Sequence, residues 1–155
     1  MVLKAVSFAL IGVVNTAVDA AVFFLAFWFL TEWQPASGAV AWLADVCHCG
    51  TPATLALIVA NTFSWFVAVS GSYVLNSTIT FAAESGRRLR LMAYGMFVLS
   101  GMVGYLANTT VLVVAAQFLP VWLAKACAIL ASFVVNFSMS HFVVFRPRPP
   151  LQERP

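Results

Sequence analysis

The chain has 155 residues, of which 63% are hydrophobic and only 8% are charged. A typical soluble domain carries about 25% charged residues, so this composition excludes an ordinary soluble globular protein. The net charge of +3 is too small and too dispersed along the chain to indicate nucleic-acid binding, and we expect no nucleic-acid partner.

Four long apolar runs predict membrane-spanning helices. A helix that crosses a bilayer needs roughly 20 mostly apolar residues, and each run reaches this length with no more than one Asp, Glu, Lys or Arg. The predicted spans are 6–29, 54–77, 93–116 and 123–143. The sequence therefore predicts an all-α integral membrane protein with four transmembrane helices and no separate soluble domain.

Basic residues predict the orientation of these helices. Lys4 precedes the first span, Arg87 and Arg88 lie between the second and third, and Arg146 follows the fourth, whereas the segment after the first span has no Lys or Arg. Cytoplasmic loops are enriched in these two residue types. We therefore predict that both termini and the middle loop are cytoplasmic, and that the chain is a multi-pass protein of the cytoplasmic (inner) membrane.

The spans form two related pairs. Residues of the third span match residues 89 positions earlier, such as Gly101 with Gly12, and residues of the fourth match residues 64 positions earlier, such as Phe145 with Phe81. Since each copy contains two spans, both enter the membrane the same way, which predicts parallel repeats about an axis along the membrane normal. The predicted boundaries are 1–146 for a single transmembrane domain, about 6–81 and 93–145 for its two repeats, and 147–155 for a disordered cytoplasmic tail.

The unequal offsets place an insertion in the outer loop, from Thr31 to about Ala53. Its apolar middle, Gly38 to Leu43, is expected to lie on the membrane as a short amphipathic segment. Cys47, His48 and Cys49 could form part of a metal site or a bridge to another chain. Two thiols and one imidazole with no fourth ligand nearby favour unremarkable loop residues instead, and we expect no metal.

Small and polar residues lie along one face of each predicted helix, and apolar residues cover the opposite face. Residues at i, i+3, i+4 and i+7 share a face. The polar faces include Asn15 and Asp19 in the first span, Asn76 at the end of the second, Asn108 in the third and Asn136 in the fourth. Helix packing alone could explain the accompanying glycines and serines, because small residues let helices approach closely.

Asp19 stands apart from the other polar residues. A carboxylate at the bilayer centre costs at least about 2.5–3.5 kcal/mol on insertion scales, so its presence calls for a structural or functional reason. One interpretation is a protonated structural residue bonded to Asn15 or Asn108. The interpretation that we favour is a polar groove or relay inside the helix bundle.

A basic cluster is predicted at the cytoplasmic membrane face. Arg87, Arg88 and Arg146 lie close to this face, and His141 is near the cytoplasmic end of the fourth span. Arginine forms bidentate hydrogen bonds with phosphate, so the three arginines could bind a lipid phosphate at the headgroup level. The alternatives are that the arginines only set the topology and that His141 is an interfacial hydrogen-bonding residue.

Two motifs resemble a known family. The first is F-x-L-I-G-V-V-N-T-x-V-D, from Phe8 to Asp19, and the second is the helix end N-S-T-I-T-F, from Asn76 to Phe81, with a weaker copy in the fourth span. Their order and spacing resemble the GtrA-like family of small four-span membrane proteins. The resemblance implies that the protein moves a sugar, carried on polyprenyl phosphate, from the cytoplasmic to the outer leaflet for the synthesis or modification of cell-surface polysaccharide.

On this interpretation the polyprenyl tail stays among the membrane lipids and the three arginines bind the phosphate. The sugar then passes a set of predicted substrate-binding residues: Asn15, Asp19, Asn76, Asn108, Asn136 and His141. Four short helices barely enclose a path for a sugar, so we also expect a homo-oligomer.

Two other functions remain open. The sequence contains no Ser/His/Asp or Cys/His set, no P-loop and no dinucleotide-binding motif, so we expect neither enzymatic activity nor a cofactor. An acidic residue in the first span also suits a small proton-coupled exporter of amphipathic cations. The third possibility is a membrane anchor that does not transport and instead recruits a glycosyltransferase.

Overall fold

The computed structural model describes residues 2–48, 50–82 and 86–139, with side chains at position 7 and from position 10 to 135 within these ranges. This part of the chain is helical and has no strand. The helices are α1 (Val2–Glu32), α2 (Gln34–Cys47), α3 (Pro52–Leu75), α4 (Leu91–Ala115) and α5 (Val121–Met139), with a π-helical turn (Asn76–Thr80) that continues α3.

The four longest helices run antiparallel to their neighbours in chain order. The start of α1 meets the end of the π-helical turn, where the Ser7 and Thr80 hydroxyls are 3.1 Å apart. The end of α3 lies beside the start of α4, where the Ser70 and Tyr94 hydroxyls are 2.8 Å apart. One end of the bundle therefore carries the α3–α4 loop, and the other carries α2 and the turn before α5.

Three helical stretches are long and apolar enough to cross a membrane: Leu10–Glu32, Pro52–Thr80 and Leu91–Ala115. The apolar stretch of α5, Val121–Val135, is shorter, and the end of the predicted fourth span lies outside the described residues. The all-helical fold is thus confirmed for the described residues, with three candidate membrane spans and a shorter apolar helix. The crossing by α5 and the location of the termini stay predictions.

The boundaries of α3 follow from local chemistry. Thr51 has an extended backbone, and its hydroxyl accepts a hydrogen bond from the Thr54 amide at 3.2 Å. Pro52 follows at the first helical position, where its missing N–H leaves no donor unsatisfied. At the other end, the helix widens into the π-helical turn, a local distortion that is frequent at functional sites.

The helical segment in the predicted insertion is longer than expected. A 14-residue helix, α2, replaces the expected loop with its brief amphipathic middle. Ala36, Val40 and Ala44 are buried, because residues four apart lie on one face of a helix and this face packs against α1 and α3. Trp42 and Val46 are exposed on the other side.

The hydrophobic core includes residues at equivalent positions of the two predicted repeats. Phe23 and Leu112, which are 89 positions apart, are both fully buried, and so are Ala60 and Ala124, which are 64 positions apart. Alanines at the contact let the helix backbones approach closely. The two hairpins, α1 with α3 and α4 with α5, therefore meet along matching stripes of residues.

The α3–α4 loop is held against the end of α3. The hydroxyl of Tyr73 donates to the Arg90 carbonyl oxygen and accepts from the Arg90 amide, both at 2.9 Å. Gly86 and Arg87 have positive φ angles of 62° and 56°, a left-handed conformation that turns the chain sharply. The loop places Arg87 and Arg88, both exposed, at this end of the bundle.

The predicted orientation can be tested with a thiol reagent that does not cross membranes. Two exposed positions at opposite ends of the bundle are suitable, Gln34→Cys at the start of α2 and Leu89→Cys in the α3–α4 loop. The background would carry Cys47→Ser, Cys49→Ser and Cys127→Ala. We expect labelling of the first variant in intact cells and of the second only after permeabilisation; the reverse pattern would overturn the orientation.

Candidate functional site

A buried ion pair joins the first and last helices of the bundle. The Asp19 carboxylate on α1 and the Lys125 ammonium on α5 are 2.7 Å apart, from Oδ2 to Nζ. The side chain of Lys125 is 1% exposed and that of Asp19 is 16% exposed. Each charge offsets the other in a surrounding where a single charge would be strongly unfavourable.

Polar side chains on α3 and α4 complete a network around this pair. The Lys125 ammonium also donates to Asn61 Oδ1 at 2.8 Å, and the Ser64 hydroxyl donates to Asp19 Oδ1 at 2.7 Å. Asn61 in turn donates from Nδ2 to the Thr109 hydroxyl at 2.9 Å. All four long helices therefore contribute to one connected set of hydrogen bonds.

An aromatic ring completes the surroundings of the ammonium. The Nζ atom of Lys125 lies 4.6 Å from the centre of the Phe23 ring, a distance at which the ring face attracts a cation. The ammonium thus has the Asp19 carboxylate, the Asn61 amide oxygen and an aromatic face as neighbours. This arrangement explains how a lysine can be buried almost completely inside an apolar bundle.

Both sequence-based interpretations of Asp19 missed its partner. One interpretation is a protonated residue bonded to Asn15 or Asn108, but the structure pairs Asp19 with Lys125. The sequence contains one signal for this pair. The four predicted spans contain one acidic residue, Asp19, and one Lys or Arg, Lys125. Since a buried charge needs an opposite charge, this observation alone could have suggested the pair.

A polar cavity of about 310 Å³ lies between the four long helices. It extends from Asp19, near the middle of α1, toward the end of the bundle that carries the α3–α4 loop. Its volume is at the lower end of the roughly 300–1,000 Å³ that ligand pockets occupy. The cavity is therefore large enough to hold a small polar group inside the membrane-spanning part of the protein.

The predicted polar faces of the first and third spans both line this cavity. Asn15, Asp19 and Asn108 contribute to its wall, as the sequence analysis placed them on the inward faces. The wall also carries small residues that keep space open. The further lining residues of the two helices are Gly12, Thr16, Phe97, Ser100, Gly101, Gly104 and Tyr105.

Aromatic rings form one side of the cavity. The rings of Trp65 on α3 and Tyr105 on α4 have centroids 4.7 Å apart and are tilted by 37°. The Tyr105 hydroxyl is 2.6 Å from the Thr62 hydroxyl, which fixes the ring in place. A Cβ atom added at Gly101 would lie 3.5 Å from the Trp65 ring, in ordinary van der Waals contact, so α4 packs directly against this ring.

Two buried amide oxygens have no hydrogen-bond partner among the described residues, those of Asn76 and Asn108. Asn108 is on the cavity wall, and its amide nitrogen is 3.5 Å from the Ser132 hydroxyl. Asn76 lies in the π-helical turn and donates to the Ser72 hydroxyl at 3.2 Å; Ser72 lines the cavity and Asn76 does not. A buried acceptor without a partner costs about 1–3 kcal/mol, so both oxygens are ready to accept a hydrogen bond.

The remaining predicted site residues are not brought to the cavity within the described part of the chain. Arg87 and Arg88 are exposed in the α3–α4 loop, at the end of the bundle toward which the cavity extends. Asn136 belongs to α5, but its side chain is outside the described part. His141 and Arg146 lie outside the described residues altogether.

The outer segment shows no metal site within the described residues. Cys47 is disulfide-bonded, whereas the sequence analysis favoured an unremarkable loop residue at this position. Cys49 lies outside the described residues. Cys127 in α5 is a free cysteine.

These features define a multi-pass helical membrane protein with a polar cavity inside the bundle. Residues 7–145 match the family described as GtrA/DPMS, transmembrane domain. The chain therefore belongs to this family, and the resemblance of its motifs to GtrA-like proteins is confirmed. No curated protein and no solved structure gives a significant match to the chain.

Proposed function

We propose that this protein translocates a polyprenyl-phosphate-linked sugar across the cytoplasmic membrane for the synthesis or modification of cell-surface polysaccharide. The observation that carries the proposal is the polar cavity of about 310 Å³ inside an apolar bundle, in a chain of the GtrA/DPMS transmembrane domain family. Large apolar side chains cover the outside of the same helices. The sugar would occupy the cavity while the polyprenyl tail stays among the membrane lipids.

The cavity supplies the hydrogen bonds that a sugar loses when it leaves water. Asp19 lines the cavity and is partly exposed, and Asn108 lines the same wall. Asn15 and the Ser132 hydroxyl offer further donors and acceptors. Replacing water by these groups lowers the barrier to moving hydroxyl groups through an apolar membrane.

The proposal includes the number of membrane crossings and the side of the membrane on which the termini lie. Four transmembrane helices, in two parallel repeats with cytoplasmic termini, would place the α3–α4 loop, and the end of the bundle toward which the cavity extends, at the cytoplasmic face. The contact between Asn61 and Lys125, which are 64 positions apart, supports the repeat. A chain of this kind would act in the inner membrane and would perform no chemical reaction on its substrate.

The phosphate would be bound at the cytoplasmic rim. Arg87 and Arg88 are exposed in the α3–α4 loop, at the end of the bundle toward which the cavity extends, and guanidinium groups form charge-assisted bidentate bonds with phosphate. Arg146, Asn136 and His141 stay part of the proposed site as sequence predictions. The phosphate would then stay at headgroup level while the sugar enters the bundle.

A second copy of the chain would complete the path. The cavity occupies only the half of the bundle next to the α3–α4 loop, and the ion pair of Asp19 with Lys125 lies at its inner end. Passage to the outer leaflet therefore needs either a rearrangement of the helices or a further path along another copy. For this reason we propose a homo-oligomer, which could also bind the glycosyltransferase that uses the sugar lipid.

One observation also suits the exporter of amphipathic cations, because the Asp19 carboxylate borders the cavity. The neighbouring ammonium of Lys125, 2.7 Å away, argues against it. The ammonium already balances the charge of the carboxylate, so the pair gives little net electrostatic attraction for a substrate whose binding depends on its positive charge. A sugar does not depend on net charge, since its hydroxyl groups can donate to the carboxylate oxygens while the ion pair stays intact.

Filling the cavity should stop translocation. Gly12 lines the cavity, and a Cβ atom added there meets no atom within 4 Å, so Gly12→Leu should fold and project into the space. We expect at least a tenfold slower appearance of the sugar lipid in the outer leaflet of vesicles that contain this variant. The matched control is Gly95→Leu, at a glycine in α4 that is equally open but does not line the cavity. Equal rates for the two variants would count against the cavity as the path.

Removing the loop arginines should weaken binding of the phosphate. We expect Arg87→Ala combined with Arg88→Ala to reduce the affinity for polyprenyl-phosphate glucose about tenfold, because two charge-assisted hydrogen-bonding groups are lost. The corresponding pair of lysine substitutions should restore part of the affinity, since charge returns without the bidentate geometry. If the alanine variant binds and translocates the sugar lipid normally, these arginines only set the orientation of the helices in the membrane.

A further inference from the structure

The ion pair presents its negative side to the cavity. Asp19 lines the cavity and is 16% exposed, whereas Lys125 is 1% exposed and is not among the lining residues. No other charged residue of the described part of the chain lines this cavity. A group that enters it therefore meets the carboxylate first, with the ammonium behind.

The carboxylate keeps acceptor capacity for a ligand. Its Oδ1 accepts from the Ser64 hydroxyl and its Oδ2 accepts from Lys125, but each carboxylate oxygen can accept about two hydrogen bonds. Hydroxyl and ammonium groups can donate to the remaining positions. A second carboxylate can only repel the first, and the repulsion is strong where the surroundings are apolar.

The aromatic side of the cavity adds no positive charge. The rings of Trp65 and Tyr105 line the cavity and lie against each other, with centroids 4.7 Å apart. Among the described residues, the wall therefore has no cationic side chain that could offset the repulsion between Asp19 and an anion.

We propose that this cavity selects the sugar by charge, accepting neutral sugars and amino sugars and excluding acidic sugars such as uronates. The inference rests on the proposed function and specifies its substrate class. Asp19 is the specificity-determining residue, since it lines the cavity that the sugar would occupy. Lys125 is a positioning residue, which holds the carboxylate in place through the 2.7 Å contact and does not touch the sugar.

The test compares three lipids in vesicles: polyprenyl phosphates that carry glucose, glucosamine or glucuronate. The native chain should move the glucose and glucosamine lipids at least ten times faster than the glucuronate lipid. Asp19→Asn removes the negative charge and leaves the ammonium of Lys125 near the cavity. It should therefore raise the ratio of the glucuronate-lipid rate to the glucose-lipid rate at least tenfold. The double variant Asp19→Asn with Lys125→Met carries neither charge and should bring the ratio close to one.

Asp45→Asn is the matched control, because this carboxylate is exposed on α2 and lies outside the cavity; its ratio should equal that of the native chain. Equal movement of the glucose and glucuronate lipids by the native chain would overturn charge selection and leave the proposed function standing. An unchanged ratio in the double variant would assign the selection to other residues and overturn the role of Asp19. Failure of the native chain to move any of the three lipids would overturn the proposed function and this inference together.

Discussion

The ion pair between Asp19 and Lys125 is the interaction on which the rest of the structure depends. An isolated charge in the middle of an apolar bundle is strongly unfavourable, and removing one partner of a buried pair typically costs about 3–5 kcal/mol. The pair connects α1 to α5, the first and last helices of the chain. Asn61 and Ser64 bind its two ends from α3, so the bundle can satisfy the charges only when these helices are assembled.

The predicted repeat relates both charged residues to amides. Asp19 corresponds to Asn108 at the 89-residue offset, and Lys125 corresponds to Asn61 at the 64-residue offset. Both amides lie near the pair: Asn61 binds Lys125, and Asn108 shares the cavity wall with Asp19. The charged residues therefore contact the amides that the predicted repeat places at equivalent positions, or share a wall with them.

Much of the architecture could be predicted from helical periodicity. The placement of Asn15, Asp19 and Asn108 on inward faces was sufficient to predict a polar groove, and these residues do line the cavity. Asn76 also keeps the helical spacing, because its side chain bonds to Ser72 four residues earlier. It does not line the cavity, which ends nearer the middle of α3.

The sequence could not reveal which polar groups contact each other across helices. Contacts such as that of Thr62 with Tyr105 depend on the depth and rotation of two helices, which neither helix encodes alone. The pair of Asp19 with Lys125 is an exception, because each is the lone Asp, Glu, Lys or Arg of its predicted span. The helix α2 was underestimated because its alanines at 36 and 44 gave only a weak apolar stripe.

The most direct test of this account is a double-mutant cycle on the ion pair, measured as the free energy of unfolding in detergent micelles. Asp19→Asn and Lys125→Met should each lower this free energy by about 3–5 kcal/mol, because each leaves one buried charge without its partner. The double variant should lose much less than the sum of the two, since neither charge remains. Small and additive effects, below about 1 kcal/mol for each substitution as for exposed ion pairs, would contradict the claim that this pair holds the bundle together.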